Sequence, residues 1–148
     1  MSYQVAVRAL CEFTAKQGGL DLRFTPAPTA QEGIAGHQTV VSRRGAGYLS
    51  ELTLAGSYPG LLVAGRADGY DPEQNLLEEI KTHRGDISRI PDNHRVLHWA
   101  QAKVYGWLLC AELELEEVDL AVVYFNVVTQ KETVFRETFA ADALRQFF

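Results

Sequence analysis

Residues 61–81, LLVAGRADGYDPEQNLLEEIK, decide the fold. Two largely apolar runs flank Asp71-Pro72-Glu73-Gln74, and a proline at the second of four positions suits a type I turn. The stretch reads as an antiparallel hairpin: strand 61–70, turn 71–74, strand 76–82. With that turn Tyr70 pairs with Asn75, Asp68 with Leu77 and Arg66 with Glu79. Side chains alternate along a strand, so Asp68, Glu79 and Lys81 share one face, the two carboxylates as diagonal neighbours. Carboxylates placed together repel and raise each other's pKa unless a divalent cation lies between them. Lys81 puts a positive charge where an attacking water and a phosphate oxygen would meet. On that reading, removing either carboxylate keeps or raises stability without metal. The same pattern taken alone also fits a solvated hairpin face with an ordinary Glu–Lys arrangement.

Outward from the hairpin, residues 48–54 read as a preceding strand, completing an antiparallel meander. Upstream, residues 5–16 carry Val5, Leu10 and Phe13 at helical spacing and stop at Gly18-Gly19. Pro26, Pro28 and Thr29 mark a turn, and Thr29 or Pro28 opens a second helix that runs to about Arg44. Gly33, Gly36, Gly45 and Gly47 weaken that helix, so something other than propensity must account for them. Downstream, a loop with Pro91 leads to a helix over 93–110, with an apolar stripe of Leu97, Ala100, Val104, Trp107 and Leu108. Residues 118–128 are β-branched and aromatic and read as a buried strand. Residues 132–139 alternate as another strand, and 140–148 form a closing helix. The chain is α/β in the order α-α-β-β-β-α-β-β-α.

The 148 residues, 47% apolar and 22% charged, fit one domain over 1–148 whose core needs neither disulfides nor a structural metal. No apolar run approaches a spanning helix and the start lacks a secretory layout, so a cytoplasmic protein without membrane attachment is expected. Cys11 and Cys110 lack CxxC spacing and read as buried free thiols. A net charge of −5 excludes a protein that grips nucleic acid over its whole surface. The charge is uneven, however. Lys81, Arg84, Arg89, Arg95 and Lys103, with His83, His94 and His98, cluster against only Asp86 and Asp92, whereas residues 112–119 hold five acids and no base. Arg43 and Arg44 read equally as a solvated helix end or as phosphate contacts. Trp99 and Trp107 read as core or interface.

Four short motifs occur in series: Glu32-Gly33-Ile34-Ala35-Gly36-His37, then Gly65-Arg66-Ala67-Asp68, then Glu79-Ile80-Lys81, then Gln101-Ala102-Lys103-Val104-Tyr105. In order and content they resemble the glycine–histidine, GxxD, (D/E)xK and QxxxY motifs of the PD-(D/E)xK nuclease superfamily, RecB-type branch. The whole chain is similar to the N-terminal nuclease region of bacterial helicase–nuclease fusions related to the XPD and DinG helicases. The resemblance implies a restriction-endonuclease-like core, a central mixed β-sheet flanked by helices. It implies a divalent-metal-dependent DNA nuclease that hydrolyses phosphodiester bonds on single strands or DNA ends in repair or processing. His37, Asp68, Glu79 and the Ile80 carbonyl would hold Mg²⁺ or Mn²⁺. Lys81 would orient the water and stabilise the phosphate, with Gln101 and Tyr105, and the basic Arg84 and Arg95, on the substrate. DNA and a helicase domain or subunit are the implied partners. Relatives with an iron–sulfur cluster use four cysteines; with two, no cluster is expected in this chain. The competing reading is a catalytically silent nuclease-like module for DNA binding or protein docking.

Overall fold

The computed structural model describes residues 3–14, 28–58 and 61–147. The expected helix stop at Gly18-Gly19, the turn residue Pro26 and the terminal Phe148 lie outside them. The elements are β1 (Tyr3–Ala6), α1 (Val7–Thr14), α2 (Ala30–Ser42), β2 (Leu49–Tyr58), β3 (Leu61–Asp71), β4 (Leu76–His83), α3 (Asp92–Leu113), β5 (Glu117–Asn126), β6 (Glu132–Ala140) and α4 (Ala141–Phe147), with a short 3-10 turn at Ile87–Arg89. The architecture is the expected mixed α/β one: six strands in one mixed sheet, with helices against it.

β2, β3 and β4 form the antiparallel meander. α3 then carries the chain across to β5, which lies parallel to β4, and β6 returns antiparallel to β5. This is the crossover that a parallel pair requires. One strand was not expected. Residues 3–6 pair parallel with 61–64 of β3 before the chain turns helical at Val7. A four-residue strand running straight into a helix has no alternation of its own, so Val5 was read as the first turn of that helix.

The hairpin register also differs. Tyr70 lies opposite Leu77 and Asp71 opposite Leu76, two residues from the expected pairing. Asp71 stays in its strand because its Oδ1 accepts the Glu73 and Gln74 N–H groups (3.0 and 3.4 Å), which moves the turn to residues 72–75. Asn75 closes the turn with φ +50°, a conformation asparagine tolerates, and its Oδ1 accepts from the Tyr70 hydroxyl at 2.7 Å. A shift of two preserves which face each side chain occupies. Extended one step, the observed register sets Asp68 directly opposite Glu79.

α2 begins with a capping box. Thr29 Oγ1 accepts the Glu32 N–H (3.1 Å) and Glu32 Oε1 accepts the Thr29 N–H (3.0 Å). The helix packs on the sheet through Gly36, where a Cβ would come within 2.7 Å of Thr82 and 3.1 Å of Phe125. Close approach is therefore the reason for glycine at 36, and it brings His37 to the sheet. Beneath α2 lies a small core of Val40, Leu76, Ile80, Ala121, Val123 and Phe125. The larger core joins α1, α3 and α4 to β3, β4 and β5, and includes Cys11 and Cys110, both buried as expected.

Candidate functional site

β2 occupies one edge of β3 along nearly its whole length. The other edge is divided: β1 takes residues 61–64 and β4 takes 69–71. Between them, residues 65–68 pair with neither, and the sheet forks. Asp68 sits in this fork. Its Oδ2 accepts the Ile80 N–H at 2.7 Å, so a side chain substitutes for the missing ladder partner. With α2 on one side of the sheet and α3 on the other, groups from both helices reach the same opening.

His37 brings its Nδ1 to 3.6 Å from Asp68 Oδ1. Glu79 is only 6% exposed; its Oε1 lies 3.1 Å from Lys81 Nζ, and its Oε2 is buried with no hydrogen-bond partner among the described residues. Burial pushes the Asp68 carboxyl up, against the pull of His37, the Ile80 N–H and Lys81. Burial and then the Asp68 charge push Glu79 up to about 8, against the pull of Lys81. Each carboxyl thus bears on the titration of the other. The convergence expected from the alternation of side chains is thus present.

Folding raises the Glu79 pKa, so between 4.5 and about 8 the folded chain binds more protons than the unfolded one. The corresponding stability is complete below that window and lost as pH rises through it. Thermal unfolding of the metal-free protein should fall with pH more steeply for wild type than for Glu79→Gln; equal slopes would contradict the coupling. Asp68→Ala should behave differently from the sequence-based expectation. It relieves repulsion but strands the Ile80 N–H, a loss of about 1–3 kcal/mol that outweighs the relief and is readable as a lower unfolding midpoint in denaturant.

α3 supplies the other wall. Gln101 and Tyr105 are 4% and 8% exposed, well inside rather than on a half-exposed edge. A Cβ on Gly65 would stand 2.6 Å from the Tyr105 hydroxyl, so the glycine of the GxxD motif makes room for that ring. Burial and the charges of Glu79 and Asp68 hold Tyr105 neutral well above its ordinary pKa. The Gln101 Oε1 is buried without a partner among the described residues. His98, one further turn back, is pushed down to about 3 by burial and by Lys81, His94 and Arg95, so it is neutral.

The expected basic contacts are placed elsewhere or already engaged. Arg84 is paired with Glu32, tying the loop after β4 to the start of α2. Arg95 donates to the Ile87 carbonyl at 2.8 Å and its guanidinium carbon stands 5.6 Å from the Phe135 ring centroid. Lys103 holds its ammonium over Phe139 and Phe147, toward α4. Of the two arginines at the end of α2, Arg43 is exposed, as a solvated helix end would be, whereas Arg44 is drawn inward. Arg44 grips Glu78 through two bonds (2.7 and 3.0 Å), and both arginines bind Glu132. Trp99 packs tilted against Phe139, and it and Trp107 border the core. Reading the sequence gave no role to Tyr124, which lies beside Lys81 in the β4–β5 register and bonds His98. Only knowledge of that strand pairing would have found it.

Among the described residues no three His, Cys, Asp or Glu side chains form a ready-made metal-holding set. What the fork offers is a carboxylate pair with one buried, unpartnered oxygen and an imidazole beside it. That donor set fits a hard divalent cation, which takes one or two carboxylates and fills its shell with waters and substrate phosphate.

No family model and no curated protein matches the chain. Among solved structures, SSO0001 superposes with a TM-score of 0.56 at 20% identity, covering 99% of this chain and 74% of that one. A candidate exonuclease of Eubacterium rectale superposes with a TM-score of 0.51 at 15% identity, covering 80% of this chain; the match spans 47% of that protein's length. A phage-related exonuclease of Haemophilus somnus gives 0.49 at 16% identity over 95% of this chain and 73% of its own. The chain therefore shares the α/β fold of SSO0001 and of the Eubacterium rectale protein, with its converging carboxylates and lysine at the fork of the sheet.

Proposed function

We propose that the protein is a divalent-metal-dependent DNA nuclease of the RecB-type branch, hydrolysing phosphodiester bonds on single strands or DNA ends. One observation carries the reading: a buried carboxyl, Glu79, and a half-buried one, Asp68, both with raised pKa values, share an opening with Lys81, while one Glu79 oxygen is left without a partner among the described residues. Asp68 has a structural duty toward the Ile80 N–H, but placing the Glu79 carboxyl beside it serves no hydrogen bond of the fold, and such perturbed pairs cluster at functional sites. Asp68 and Glu79 would hold Mg²⁺ or Mn²⁺, with His37 and the Ile80 carbonyl contributing from either side. The cation would neutralise the carboxylate pair and polarise the phosphate. Lys81 would present its remaining donors to the phosphate oxygen and the attacking water, and the neutral Tyr105 hydroxyl and the Gln101 amide would position the strand.

The deciding experiment is incubation with labelled single- and double-stranded DNA in Mg²⁺, Mn²⁺ or EDTA. Cleavage with either metal and none in EDTA is expected; failure on every substrate, including when joined to a helicase partner, would favour the docking reading.

Grip on DNA should be weak. With a net charge of −5 and with Arg84, Arg95 and Lys103 engaged within the protein, few cations remain for phosphates. Counterion release then gives a log–log salt slope of only about −2 to −4. Tethering to a translocating helicase would replace affinity by effective concentration, which is the role proposed for a helicase partner in DNA repair or processing. Tight, salt-insensitive binding by the isolated chain in a salt titration would contradict this.

A further inference from the structure

We infer that His98, held by Tyr124, is a positioning residue that aims the Lys81 ammonium into the fork. The inference rests on the nuclease reading above for its consequence, but its geometry is independent of it. Lys81 and Tyr124 are direct neighbours in the parallel β4–β5 register, so their side chains leave the sheet on the same face. Tyr124 is 1% exposed, and its ring is boxed in by three others: His83 at 6.3 Å, Phe135 at 5.9 Å and His98 at 5.5 Å between centroids. Its hydroxyl therefore has one direction, and it meets His98 Nδ1 at 2.8 Å. Both partners stay neutral, Tyr124 because burial pushes it up to about 12 and His98 because burial and the surrounding cations push it down.

A neutral imidazole has two different nitrogens, one donor and one acceptor. With Nδ1 committed to Tyr124, which stands beside Lys81 in the register, Nε2 is the ring nitrogen left to act on a further group. The ammonium carries three donors and spends one on Glu79 Oε1 at 3.1 Å. Without a second anchor a four-carbon side chain would rotate about that single contact, or collapse against the Glu79 and Asp68 carboxyls. A neutral ring beside it limits those rotamers without adding a positive charge that would repel it. His98 thus does for Lys81 what an orienting group does for any catalytic side chain: it narrows its positions, and small misplacements in such groups can cost about 10²-fold in rate. Tyr124 acts one step behind, fixing the ring's orientation.

Single-turnover cleavage of labelled single-stranded DNA by wild type, His98→Ala, Tyr124→Phe and the double variant tests this, with DNA affinity and thermal unfolding measured alongside. Expected is a fall of about 10–100-fold in the cleavage step for His98→Ala, a smaller fall for Tyr124→Phe, and a double variant no slower than His98→Ala, because the two act in series. DNA affinity should hardly change, and His98→Gln, which keeps a neutral hydrogen-bonding group, should recover part of the rate. Equal rates for wild type and His98→Ala, or additive losses in the double variant, would overturn the proposal. A second readout needs no turnover. In protein labelled with ¹⁵N-histidine, Lys81→Met should shift the His98 Nε2 resonance; an unchanged resonance would overturn the positioning role, whereas an inactive wild type with a shifted resonance would overturn only the nuclease reading.

Discussion

Lys81→Ala should slow DNA cleavage by about 10²–10³-fold while leaving Mn²⁺ binding nearly intact, because the lysine acts on water and phosphate and need not touch the ion. The structure makes the expectation specific. Lys81 Nζ is bonded to Glu79 Oε1, and its charge opposes the rise of both carboxyls. Removing it lets the Glu79 pKa rise further, so protons compete better with metal. The two affinities should therefore converge as pH is raised and part as it is lowered. Calorimetric titration with Mn²⁺ at several pH values separates that indirect effect from direct ligation: a loss of affinity that persists at high pH would make Lys81 a ligand or a scaffold for one.

Arg44→Ala should have the largest effect on stability. Glu78 is 3% exposed, and Arg44, itself mostly buried, satisfies it with two hydrogen bonds while also reaching Glu132. The Arg44 guanidinium is held charged, far above its ordinary value, by these two carboxylates despite the cost of burial. Truncating one member of a buried pair leaves the other charge uncompensated, a loss of about 3–5 kcal/mol. For a domain of this size that is a fall of about 10–15 °C in Tm. Adding Glu78→Gln to Arg44→Ala should restore much of it, since the stranded charge is then gone. A thermal melt showing only a degree or two of change for Arg44→Ala would mean that water already shares the network. The same substitution should not lower DNA affinity, because this guanidinium spends its donors on Glu78 and Glu132.

The elements that sequence reading recovered are those whose own patterns fix them. The hairpin of β3 and β4 is bounded by a proline turn, α3 carries a long apolar stripe, and β5 is a continuous β-branched run. Face assignment survived an error in register because Asp71, by binding the turn N–H groups, moved the turn by one residue, which shifts the strand pairing by two and leaves every side chain on its expected face. Asp68, Glu79 and Lys81 consequently met as expected, and His37 joined them because Gly36 lets α2 approach Thr82 and Phe125. What could not be read were relations between elements distant in the chain. The parallel pairing of β1 with β3 leaves no local trace. Nor does the Asp68 side chain's bond to Ile80, which turns an expected gain on removing Asp68 into a loss. The basic cluster along residues 81–103 looked like a substrate face from composition, yet Arg84, Arg95 and Lys103 each have a protein partner supplied by another segment.

The central claim is that the raised-pKa carboxyl pair at the fork is a metal site. Calorimetric titration of Mn²⁺ into the wild-type protein near neutral pH, repeated in buffers of different ionisation enthalpy, tests it most directly. Because Glu79 is pushed up to about 8, binding at the fork must displace a proton. The expected result is saturable binding accompanied by proton release, with both lost in Glu79→Gln. Binding without proton release, or binding of equal strength to Glu79→Gln, would place the metal elsewhere and contradict the account.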